Sequence, residues 1–192
     1  MKAALLFLAL LCAGGAHADP KDKALPAAPA LHGGFVQTKR ITGLSLPLLS
    51  RGTFALLPGR GLVWRTLTPL SGTVVLTPKG VFALDAGAPR RLASGTEPLA
   101  LMNEILKGNI DALQRDFVVR RGIVAAGGWK LNLAPKPGPL AALFTGIEAE
   151  GGRFARTARL VERSGDETEL RFEGVRPGSG ALDPAEESLL GP

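Results

Sequence analysis

Reactive side chains are scarce in this chain. It has one cysteine, Cys12, and two histidines, His17 and His32. Cys12 and His17 both fall in an N-terminal stretch that reads as removable, which leaves His32 alone in an Ala- and Pro-rich region. With no cysteine and one histidine there is no disulfide framework, and no ligand set for zinc or a redox metal. A Ser-His-Asp arrangement would have to use His32, and the chain has no nucleophile-elbow motif. Gly127-Gly128 opens a strand pattern rather than a helix, so it is not a phosphate loop. Glu148 and Glu150 share a strand face and could form an acid pair, but they read first as solvated hairpin-end charges. Tyrosine is absent and aromatics make up 5% of the chain, which disfavours stacking platforms for single-stranded nucleic acid. Beyond the N-terminus, no run is long and apolar enough to cross a bilayer as a helix. Such a chain is expected to bind and carry rather than to catalyse, with no cofactor.

What is present begins with a leader. Lys2, the apolar run Ala3–Leu11 and the small-residue site Ala16-His17-Ala18 form a signal peptide over 1–18, cleaved after Ala18. The product is then expected in the periplasm, with about 174 residues for one core. Removing Lys2 lowers the formal charge from +6 to about +5. A basic exported protein can meet an anionic membrane surface or an acidic ligand. Residues 19–34 carry Pro20, Pro26 and Pro29 and read as a tether. The folded domain is expected over 35–176, and the Pro-, Gly- and acid-rich residues 177–192 as a loose tail.

Within 35–176, turn signals punctuate runs of Val, Leu, Phe and Thr at short intervals, the pattern of an antiparallel all-β fold. Strands are expected near 35–41, 48–57, 61–66, 72–77, 81–84, 90–93, 116–124, 128–134, 144–149, 154–162 and 167–173. One helix interrupts them. Thr96 is its candidate N-cap, Pro98 lies in its first turn, Leu99, Met102 and Leu106 share a face, and Gly108-Asn109 ends it. Several strands are apolar on both faces, as at Val74, Val75 and Leu76. One face can pack on the helix, and the other must be covered or face something apolar. The stretch GLVWRTLTP poses the question sharply. Trp64 and Arg65 are neighbours on a strand and so point to opposite sides.

Three segments, GGFVQTKRITGL, GTFALLPGRGLVWRTLTP and VVLTPKGVFAL, together resemble the outer-membrane lipoprotein carrier (LolA) family. The resemblance rests on Phe35 and Gln37, then Gly52 and Phe54, then Leu62, Trp64 and Pro69, followed by a hairpin, a helix and further strands. It covers about 35–175 and is similar to a divergent branch associated with polyene-type lipids. It implies a mainly β fold, an incomplete, half-open antiparallel barrel of about eleven strands with a lid helix over an apolar cavity. The implied lipid-binding residues are Leu62, Trp64, Val74, Leu76 and Phe82 on the strands, with Leu99, Met102 and Leu106 on the helix. Leu62 and Trp64 would face the cavity and Val63 and Arg65 the outside. The reverse facing, or a Trp64 packed in a plain core, stays open. Members of the family carry an Arg before the Pro of the strand 2–3 turn. Here Leu57 precedes Pro58, so Arg60 becomes the lid-contact candidate.

The function this implies is a periplasmic carrier that shuttles a lipoprotein, or a glycolipid or polyene-type lipid, by its acyl chains towards the outer membrane. Its partners would be an inner-membrane donor complex and an outer-membrane acceptor, with no nucleic acid. The alternative is a non-catalytic envelope scaffold whose barrel is filled by its own side chains.

Overall fold

The computed structural model describes residues 29–84, 89–93, 95–124 and 127–191. The expected leader and most of the tether lie outside the described residues. Eleven strands form one antiparallel sheet among them. They are β1 (Leu31–Arg40), β2 (Leu48–Leu57), β3 (Gly61–Thr68), β4 (Gly72–Thr77), β5 (Gly80–Leu84), β6 (Arg90–Arg91), β7 (Phe117–Val124), β8 (Gly128–Pro135), β9 (Phe144–Gly151), β10 (Ala155–Glu162) and β11 (Glu167–Pro177). Their order is β6-β5-β4-β3-β2-β1-β11-β10-β9-β8-β7. The edges β6 and β7 do not pair, so the barrel stays open.

This order positions the helices. The first and last long strands, β1 and β11, pair at the centre of the sheet. The chain reaches one edge at β6 and must restart at the other edge with β7. The crossover holds α1 (Glu97–Lys107) and α2 (Ile110–Asp116), so these helices bridge the mouth of the curved sheet. The curvature shows in one contact. Trp64 on β3 and Phe172 on β11 are three strands apart, which is roughly 14 Å on a flat sheet. Their rings nevertheless meet edge to face at 6.5 Å.

Register assigns the faces. Phe54 lies opposite Trp64, and Trp64 opposite Val74, so these side chains share the concave face. Ala55, Val63 and Val75 alternate with them on the convex face. The concave residues, with α1 and α2, form the main core. A second cluster lies behind the sheet, where Ala55, Leu57, Val63 and Val75 pack against Leu190.

Several expectations are corrected. β1 begins at Leu31, four residues early, because Leu31–Gly34 pair with both β2 and β11, with a register shift at His32/Gly34. The main helix spans Glu97–Lys107 and its first turn contains Pro98, but the Thr96 hydroxyl makes no capping bond. Gly108 ends it in the left-handed conformation that glycine adopts freely (φ 64°). A second helix follows at once, α2, whose first turn is capped by the Asn109 side chain accepting from the Ala112 N–H. A short helical turn, α3 (Pro139–Leu143), fills the break before β9. The tail is not loose throughout. Residues Pro184–Leu190 form α4, closed by a reciprocal capping box between Asp183 and Glu186.

Candidate ligand-binding cavity

The floor of the concave face is aromatic. Phe35 of β1 stacks on Trp64 at 4.0 Å between ring centroids, with 22° between the planes. Phe54 lies 6.3 Å from Trp64 and meets Phe172 edge to face at 5.6 Å. The stack requires Gly52. A Cβ there would sit 1.9 Å from the Arg65 carbonyl oxygen and 2.6 Å from the Phe35 ring. The glycine of the G-x-F stretch is therefore a space for Phe35, and Phe54 is the next concave residue along.

Above this floor lies α1, with a cavity on either side. The first is about 250 Å³ and runs between Trp64, Val74, Val81, Leu160 and Leu170 on the sheet and Leu99 and Met102 on the helix. Its apolar walls give way to Gln37, Lys39, Glu162 and Thr168 at the end of β1, β10 and β11. There Lys39 Nζ donates to Glu162 Oε1 at 2.9 Å. The second cavity, about 470 Å³, lies under the other flank of α1 and against α2. It mixes Leu76, Leu101 and Phe117 with Glu104, Lys107 and Asp116 and is the more polar of the two. Glu104 is held there by Lys107 at 2.7 Å and by Asn109 at 2.7 Å.

The eight residues proposed from sequence divide accordingly. Trp64, Val74, Leu99 and Met102 line the apolar cavity. Leu76 shares their face of the sheet but lines the polar one. Leu62 and Leu106 are buried in the main core and line neither cavity. Phe82 is a correction. The two-residue turn Pro78-Lys79 pairs Thr77 with Gly80, which sets Val81 opposite Leu76 and Phe82 opposite Val75. Phe82 therefore faces the convex side, and Val81 takes the place in the cavity wall. Sequence reasoning missed Val81, Leu160 and Leu170. Each follows from the alternation once a register is fixed.

Arg60 and Arg65 both serve the back of the sheet. Arg60 Nη2 donates to the Gly191 carbonyl, so Arg60 ties the β2–β3 turn to the end of α4; none of its hydrogen bonds runs to α1. Arg65 donates through Nε and Nη2 to the two carboxylate oxygens of Glu186, and through Nη2 to Ala181 O at 3.0 Å. Glu186 is fully buried. Its carboxylate also accepts the Asp183 N–H at 2.8 Å. The Trp64-Arg65 pair thus has a physical reading: the indole builds the cavity floor, and the guanidinium pins the C-terminal helix to the opposite face.

The candidate acid pair lies outside both cavities. Glu148 and Glu150 flank Lys130, at 3.4 Å and 3.0 Å, on the convex side of β8 and β9. The hydrogen bond to Glu150, then the charge of Glu148, hold the Lys130 ammonium above its ordinary value. The two carboxylates act there as partners of one lysine. Among the described residues no three of His, Cys, Asp and Glu are grouped as a metal site would need. His32 Nδ1 lies 3.1 Å from Gly178 O at the surface. No described helix is long and apolar enough to cross a membrane.

No protein-family model matches the chain, and no curated protein matches it. Among solved structures it is similar to a LolA superfamily protein from Nitrosomonas europaea, at 9% identity and a TM-score of 0.44, over 81% of this chain and 88% of that one. It is similar to MucB at 15% identity and a TM-score of 0.45, over 88% of this chain and 58% of that one. It is also similar to an outer membrane lipoprotein-sorting protein domain from Vibrio parahaemolyticus, at 11% identity and a TM-score of 0.38, over 84% and 91%.

Proposed function

We propose that this protein is a periplasmic, non-catalytic carrier that holds the acyl chain of a lipoprotein or other lipid against Trp64 and moves it towards the outer membrane. The observation that carries the reading is the largely apolar cavity of about 250 Å³ between the sheet at Trp64 and α1, with Lys39 and Glu162 among its polar lining. An acyl chain would lie on Trp64, Val74, Leu99 and Met102, with its head group at the Lys39–Glu162 end. Met102 suits a wall that adapts to different chains.

The small size of the cavity points to modest affinity. A cavity of about 250 Å³ takes part of an acyl chain rather than its whole length. Each buried methylene contributes about 0.8 kcal/mol, and the cost of association offsets much of the sum, so the hold is moderate. Such binding permits release. A longer chain needs α1 to shift, joining this cavity to the one on its other flank. Donor and acceptor membranes would supply the direction of transfer.

The scaffold reading has one observation in its favour. Leu62 and Leu106 are 0% and 4% exposed in the protein's own packing, so part of the trough is self-filled. Titration with a fluorescent acyl probe separates the two. The carrier reading expects saturable binding, displaced by fatty acid and weakened about tenfold or more by Val74→Trp, which fills the cavity from its wall. A scaffold would show no saturable binding and no effect of that substitution.

A further inference from the structure

We propose that the tips of two adjacent hairpins form a docking edge that seats on an anionic lipid surface beside the mouth of the apolar cavity. Leu44, Leu46, Leu48 and Leu49 crown the β1–β2 hairpin, and Leu67 and Leu70 the β3–β4 hairpin. All six are more than half exposed, up to 78% at Leu46 and 82% at Leu70. β2 pairs with both β1 and β3, and Arg51 lies opposite Thr68, so the two tips sit side by side at one end of the sheet. Six exposed leucines on neighbouring turns are a concentration that isolated surface leucines do not explain.

The occupant follows from shape and charge. These side chains project from two hairpin tips and the strand ends beside them. They can enter a deformable lipid interface individually, where burial of apolar side chains adds to attraction by anionic head groups. The local charge balance suits that surface. Of the acids at this end of the sheet, Glu162 is paired with Lys39 and Glu167 with Arg159, while Asp166 accepts the Thr42 N–H and keeps its charge, against the two cations Arg40 and Arg51. Arg40 and Arg51 are exposed at the base of the leucine tips and make no ion pair among the described residues. The position also fits. Leu48 lies opposite Lys39, which lines the polar end of the cavity, so this edge would bring the cavity mouth to the lipid. The docking edge rests on exposure and charge and stands independently of what the cavity holds.

Co-sedimentation of the purified, exported protein with vesicles of phosphatidylglycerol and phosphatidylethanolamine tests it. Binding is expected, weakened by added salt, and lowered about tenfold or more by Leu46→Ser with Leu70→Ser. Arg40→Ala with Arg51→Ala should reduce binding to these vesicles and leave binding to phosphatidylcholine vesicles unchanged. All four side chains are exposed, so Tm should hold, and a dye on Leu46→Cys, the single thiol once residues 1–18 are removed, should shift to the blue only with vesicles. The proposal is overturned if the parent protein does not bind vesicles, or if the leucine variant binds as well as the parent. Loss of a stoichiometric protein partner in the leucine variant, with no vesicle binding by the parent, would reassign the edge to a protein contact.

Discussion

Trp64 and Arg65 are one peptide unit apart and serve opposite sides of the sheet. Trp64 stacks on Phe35 and lines the cavity, so Trp64→Ala should remove both functions. A loss of about 3 kcal/mol in denaturant unfolding is expected, together with loss of acyl-probe binding. Arg65 meets the fully buried Glu186, and removing one partner of a buried pair leaves the other charge uncompensated. Glu186→Ala should therefore cost about 3 kcal/mol, a fall in Tm of roughly 6–12 °C for a chain of this size. Arg65→Met with Glu186→Leu should recover most of that loss, because an apolar pair needs no desolvation. Equal melting of the single and double variants would contradict the assignment. Gly52→Ala is the strictest substitution of this set. Its Cβ would fall 1.9 Å from a backbone oxygen of the neighbouring strand, so β2 and β3 could not keep their pairing. Poor expression or a broad, early melt is expected.

Two of the four described helices take opposite sides of the sheet: α1 faces the cavity and α4 closes the back. α1 packs Leu101, Met102, Ile105 and Leu106 onto the trough yet has cavities on both flanks. Elements bordering voids open more readily than continuous core. Amide hydrogen exchange should thus be faster in α1 than in β1 and β11, and an acyl ligand should slow it selectively in α1. Uniform protection, indifferent to ligand, would contradict a mobile cover. α4 is a cover of another kind, with Leu190 seated among Ala55, Leu57, Val63 and Val75. Deleting residues 178–192 should expose that surface, raise binding of a hydrophobic dye and promote aggregation, with the strand content intact. Of the two helices, only α1 was legible in the sequence, where Leu99, Met102 and Leu106 mark its face. α4 was hidden by composition. Its Pro, Gly and acidic residues resemble a tail, although Asp183 and Glu186 three apart, followed by Leu189-Leu190, spell a helix start and an apolar face.

At the scale of the whole molecule, the sheet was legible because turn residues separate its strands cleanly, from Pro58-Gly59 to Gly165. All eleven expected strand positions are occupied, and the sheet stays open as an incomplete barrel. The candidate site was legible only in part. Trp64 and Arg65 fall on opposite faces in any register, although which of them faces the cavity stayed open, whereas Val81-Phe82-Ala83 is apolar throughout and its facing depends on a turn of two residues. Strand order was not readable from periodicity either. It is the pairing of β1 with β11 that sends the chain across the open face and places α1 over Trp64. The central claim is that this space receives an acyl chain. Mass spectrometry of lipid co-purified with the protein from its native envelope tests it most directly. The account predicts a stoichiometric acylated lipid or lipoprotein, lost in Val74→Trp. A protein recovered without lipid that also fails to bind an acyl probe would contradict the carrier reading and leave a self-filled scaffold.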